Sequence, residues 1–121
     1  MVKVINPANL KSISSPGHGK ATVKFLVNQE MGAEKMGVGL GVCPPGEVVE
    51  NHRHPESEQF YYILKGEITI TSDLGKSKVK EGEAFFIGVN ESHGMINESN
   101  EDMIYLACTA PNVPPPPQQH K

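Results

Sequence analysis

Residues 35–44 read "KMGVGLGVCP", and they alternate strictly. Met36, Val38, Leu40 and Val42 fall on one face, Gly37, Gly39, Gly41 and Cys43 on the other. A period of two is the period of a β-strand, since a helix would bring apolar residues back every three or four positions. A strand with glycine all along one face packs that face against something very close, either another backbone or a ligand. The chain is thereby committed to a sheet in which this strand leaves room on one face for a close neighbour. Other segments follow the same rule: 21–28, 47–54, 59–66, 67–72, 77–82, 84–88, 92–97 and 102–110. Turn signals separate most of them, notably Ser72-Asp73-Leu74-Gly75. Twelve glycines and ten prolines leave few stretches of helix length. Many short strands at close spacing predict an all-β sandwich or barrel.

The chain of 121 residues is long enough for one core. Three parts are expected: an N-terminal arm over 1–20, a β-barrel over 21–110 and a proline-rich tail over 111–121. The tail, "PNVPPPPQQHK", suits extended polyproline or disorder. Within the arm, "GHGK" at 17–20 lacks the spacer and the hydroxyl residue of a phosphate loop, so His18 reads as a loop residue. A net charge of −3 without a basic block argues against nucleic acid as a partner. No apolar run approaches the ~20 residues of a membrane span. No secretory pattern opens the sequence, which points to the cytoplasm. There Cys43 and Cys108, 65 positions apart, stay reduced and serve as small apolar residues.

The segment "GEVVENHRHPESEQFYYILKG" (46–66) carries the chemistry. His52 and His54 are two apart, so a strand running through both points them to one face, with Cα atoms roughly 6.5–7 Å apart. Two imidazoles so placed can converge on a metal that takes nitrogen ligands at about 2.0–2.1 Å. His93 lies 39 residues further on, in another strand-like segment able to complete the site.

These residues resemble the cupin superfamily, whose small single-domain members bind metals. The first motif reads Gly46, five residues, His52-Arg53-His54, four residues, Gln59, six residues, Gly66. The second reads Gly82, five residues, Gly88-Val89-Asn90, two residues, His93, three residues, Asn97, and fifteen residues separate the two. The resemblance covers roughly residues 36–110. It implies a double-stranded β-helix, or jelly roll, and a divalent transition metal held by His52, His54, His93 and a fourth ligand. Gly88 and Asn90 stand where proline and glycine are usual, a mild exchange because both tolerate a left-handed turn.

The fourth position is the larger departure. The family's glutamate falls on Gln59, with Glu58 one residue away. Both cannot face inward on a regular strand, since a slip of one residue reverses every side chain. The count to Gly66 selects Gln59; a bulge between Pro55 and Phe60 would select Glu58. Three imidazoles and a neutral amide leave the ion its full charge, which suits oxyanions and polarised carbonyl or enolate oxygens. Such a donor set admits Fe, Ni, Mn, Zn or Cu. By parity, Glu50 shares a face with His52 and Tyr61 one with Gln59, and either is a candidate general acid or base.

The resemblance implies a metal-dependent isomerase or lyase on a sugar-derived, hydroxy- or keto-acid, or a dioxygenase with iron. The alternative is a non-catalytic sensor of a small ligand. A homodimer is expected, the arm and residues 21–28 crossing to cover a partner's sheet edge.

Overall fold

The computed structural model describes residues 2–14 and 20–112; His18 and most of the proline-rich tail lie outside that range. Among the described residues, ten strands form two antiparallel sheets. They are β1 (Ile13–Ser14), β2 (Thr22–Val27), β3 (Gly37–Cys43), β4 (Val48–His52) and β5 (Glu58–Lys65). Then follow β6 (Glu67–Ser72), β7 (Gly75–Lys80), β8 (Ala84–Ile87), β9 (His93–Ile96) and β10 (Met103–Ala110). One sheet runs β1-β2-β3-β10-β5-β8 and the other β4-β9-β6-β7. The fold is a jelly roll. No α-helix occurs among the described residues, and no helix is long and apolar enough to cross a membrane.

Alternation places the core. On β5, Gln59, Tyr61 and Ile63 are buried while Glu58, Phe60, Tyr62 and Leu64 are exposed. Ile63, Ile68 and Met103 are almost wholly removed from water between the sheets. Each such side chain contributes roughly 1.5–3 kcal/mol of transfer free energy. The core continues through Cys43, Val49, Val79, Ile87 and Met95.

The glycine face of β3 turns inward, and side chains approach it closely. The Tyr105 ring, paired across from Gly41, occupies the space that a Cβ there would need, and Val23 does the same at Gly39. Three glycines of the two motifs, Gly46, Gly66 and Gly82, have φ of 81°, 83° and 83° at strand ends, the left-handed region that a side chain disfavours. Asp73 and Leu74 form the tip of a two-residue hairpin, with Ser72 paired to Gly75, so β7 starts two residues earlier than the sequence pattern suggests.

The arm is not irregular throughout. Residues Pro7–Asn9 make a 3-10 turn capped by the Asn6 side chain, and β1 adds an edge strand by pairing Ile13 with Val23.

Candidate metal centre

The centre sits at one mouth of the roll, where the ends of β4, β5 and β9 meet. His52 is the last residue of β4 and His93 the first of β9, and the two are directly paired. Their ring centroids are 4.4 Å apart. His54 is not on the strand. The chain turns after Arg53, the His54 carbonyl accepting from Ser57 N (3.5 Å) and Asn90 N (2.9 Å). The expected strand through both histidines therefore stops two residues short. The turn brings the third ring in nonetheless, 4.9 Å from His52 and 5.4 Å from His93. One nitrogen from each of the three lies within 4.8 Å of the others, a group able to hold one metal ion.

The backbone sets which nitrogen faces the centre. His52 Nδ1 lies 2.8 Å from the Glu50 carbonyl and His93 Nδ1 2.9 Å from the Glu91 carbonyl. A carbonyl only accepts, so each Nδ1 carries the proton and each Nε2 offers a lone pair. Burial holds the His93 imidazole below its usual pKa, hence neutral, and the nearby His52 adds to that. His93 Nε2 is buried with no hydrogen-bond partner within the protein.

Gln59 is 9% exposed and lines the same cavity. Its Nε2 donates to Thr109 Oγ1 at 3.1 Å, which leaves Oε1 buried and unpartnered. A buried amide oxygen beside three imidazoles is the donor set that a divalent cation accepts. The residues fit the ion. Glu58, one position along the regular β5, is exposed.

The expected common face of Glu50 and His52 is lost. On β4, Val49 pairs with Met95 and His52 with His93, three steps against two on β9. The extra residue reverses the alternation, so Val49 and His52 line the cavity and the Glu50 side chain is exposed. What Glu50 gives the centre is its carbonyl. Tyr61 does line the cavity, stacked on Phe85 at 4.7 Å and tilted against Tyr105 at 5.2 Å. Burial pushes its phenol well above the ordinary value and that of Tyr105 to about 12, so both are protonated at neutral pH.

The cavity measures about 130 Å³; Ala21, Cys43, Val49 and Met95 supply its apolar wall. Thr109, which orients Gln59, and Tyr105 escape sequence reasoning because β10 carries no motif. Asn97, the end of the second motif, lies past the other end of β9 from His93, where its backbone bonds to Gly46 and Glu47. It is fully buried, Nδ2 donating to the Cys43 and Glu101 carbonyls at 2.8 and 2.9 Å.

Residues 39–109 match the cupin domain family. The chain belongs to the cupin family. This cupin is 31% identical to the oxalate-binding protein of Thermotoga maritima over 105 residues, 85% of each chain. It is 32% identical over 77 residues to an uncharacterized protein of Methanocaldococcus jannaschii, covering 64% of this chain and 62% of that one. The solved structure of the polyketide cyclase RemF from Streptomyces resistomycificus superposes with a TM-score of 0.84 at 26% identity, covering 95% of this chain and 83% of that one.

Proposed function

We propose that this cupin is a metal-dependent enzyme acting on a small sugar-derived, hydroxy- or keto-acid substrate, as an isomerase or lyase, or as a dioxygenase with iron. The observation that carries the reading is the grouping of the three imidazoles at a small cavity that His52, His54 and Gln59 line, Gln59 with a buried and unpartnered amide oxygen. His52, His54, His93 and Gln59 are its ligands, for Fe, Ni, Mn, Zn or Cu. A bound divalent cation supplies Lewis-acid activation of a carbonyl or enolate oxygen. The Glu50 and Glu91 carbonyls keep two imidazoles in the ligating tautomer. The apolar wall excludes water. Tyr61, held protonated by burial, can donate a hydrogen bond into the cavity and does not serve as a base. The cytoplasm suits the two unbridged thiols.

The relative named for binding oxalate favours a second reading, a non-catalytic binder of a small chelating ligand. One experiment separates them. The protein is purified, its metal measured by elemental analysis, and each reconstituted form tested against hydroxy- and keto-acids, with His52→Ala as control. Turnover lost in His52→Ala supports the enzyme; stoichiometric ligand binding without turnover supports the binder.

A homodimer belongs to this reading. The outer face of the six-stranded sheet is apolar from β3 to β8: Leu40 pairs with Leu106, Leu106 with Tyr62, and Phe60 with Phe86. Phe60, Tyr62 and Phe86 are 45%, 38% and 62% exposed. At ~200 Å² per large ring that is ~300 Å² from three residues, a sizeable share of the ~800 Å² per partner in a stable interface. The outer face of the other sheet is solvated, with Lys76, Lys78 and Lys80 on β7 and a Lys78–Glu67 ion pair at 3.3 Å. Light scattering should give twice 13.1 kDa, falling to one chain in Phe86→Asp; a monomeric wild type refutes the pairing.

A further inference from the structure

The step that aims His52 inward is the extra residue in β4, and a backbone does not hold an extra residue unaided. Glu50 and Asn51 together stand opposite one residue of β9, Gly94. On its other side Gly94 pairs with Thr71 of β6. The Asn51 side chain crosses over Gly94 and accepts a hydrogen bond from the Thr71 hydroxyl at 2.7 Å. It thus ties β4 to β6 across the strand that lies between them. Gly94 has to lack a side chain for this. A Cβ there would collide with Asn51 Oδ1 and come within 2.8 Å of both Thr71 Oγ1 and the Val49 carbonyl. The bulge in turn presents the Glu50 carbonyl to His52 Nδ1.

We propose that Asn51, Thr71 and Gly94 are positioning residues for the metal centre: they latch the bulge that turns His52 toward the ion and supplies the carbonyl orienting its ring. None of the three touches the ion in this account. Without the latch, β4 has two ways to pair with β9. The regular one restores strict alternation, puts Asn51 on the inner face and turns His52 out. The latch selects the other. The inference rests on the metal reading above, because a latch for His52 matters only where His52 is a ligand.

The test uses Co2+ as the probe, with Thr71→Val, Thr71→Ser, Asn51→Ala and Gly94→Ala beside wild type. Removing a partner that orients a metal ligand typically weakens affinity roughly 10–100-fold. Thr71→Val and Asn51→Ala should each weaken Co2+ binding by ~10-fold or more and alter the visible Co2+ absorption bands. Thr71→Ser, which keeps the hydroxyl, should restore both. In the metal-free protein, Thr71→Val should speed amide hydrogen exchange at Asn51 and His52, and Thr71→Ser should not. Gly94→Ala should combine weak binding with loss of stability, and if it fails to fold the Thr71 pair still decides. The proposal is overturned if Thr71→Val melts lower yet binds Co2+ with wild-type affinity and spectrum, since its hydrogen bond is then only structural. Failure of the metal reading looks different: His52→Ala would then bind Co2+ as wild type does, whatever Thr71 carries.

Discussion

Replacing Gln59 by methionine separates a metal ligand from a packing residue, because the two roles predict different signs in the presence and absence of metal. Methionine keeps the length and removes both amide atoms. In the metal-free protein it loses the bond from Nε2 to Thr109 at 3.1 Å, a contribution of roughly 0.5–1.5 kcal/mol. It also relieves the desolvation of an amide oxygen that has no partner within the protein, roughly 1–3 kcal/mol in the opposite direction. The two oppose each other, so stability without metal should lie between about 0.5 kcal/mol below wild type and about 2.5 kcal/mol above it.

With metal the balance changes. At a free concentration 100 times the wild-type Kd, binding stabilises wild type by ~2.7 kcal/mol. A loss of affinity of ~10–100-fold cuts that to roughly 1.4–0.4 kcal/mol. For 121 residues the entropy of unfolding is roughly 250 cal/mol/K, so 1 kcal/mol moves Tm by about 4 °C. Wild type should therefore gain about 11 °C on metal addition and Gln59→Met about 2–6 °C. Differential scanning fluorimetry with and without chelator reads both. Glu58→Ala, on the exposed face of β5, should behave as wild type. If Gln59→Met gains as much as wild type and Glu58→Ala does not, Glu58 is the ligand and the assignment is wrong.

His52→Ala, His54→Ala and His93→Ala should each remove most of the metal, by elemental analysis, and leave the circular dichroism spectrum β-like; full occupancy in any one of them removes that histidine from the centre. Stability should fall at alkaline pH. Burial pushes the Cys43 thiol from 9.0 up to about 11 and the Tyr105 phenol from 10.0 up to about 12. The folded state prefers both neutral, so their contribution is complete below pH 9 and is lost as pH rises through 9–12. Urea titrations at pH 8 and pH 11 should show the decline, and Cys43→Ala should reduce it. Gly66→Ala puts a side chain at φ 83° and a Cβ 2.6 Å from the Asp102 carbonyl; urea denaturation should show a loss of roughly 1–3 kcal/mol, and an unchanged midpoint would mean that the turn relaxes freely.

What was legible in the sequence is what a regular ladder transmits. β5 pairs without a shift from Gln59 to Tyr62 against both neighbours, so once the count to Gly66 chooses Gln59 as the inward residue, alternation turns Glu58 outward. β3 pairs regularly with β10 along its length, and its glycine face is inward as the pattern requires. Parity fails where the ladder is interrupted. Counting back from His52 assigns Glu50 to the cavity, but a bulge lies between them. The cause of that bulge is the missing side chain of Gly94, some forty positions away, and the hydroxyl of Thr71 on a third strand. No local pattern around Glu50 encodes a contact made by two other strands. His54 shows the converse. It joins the other rings although the strand has ended, because a turn tied to Asn90 carries it there. The motif's spacing survives where the strand geometry used to explain it does not. The separation of His52 and His54 is therefore a property of a strand end and its turn, and an insertion between them would fail by breaking that turn, not by reversing a face.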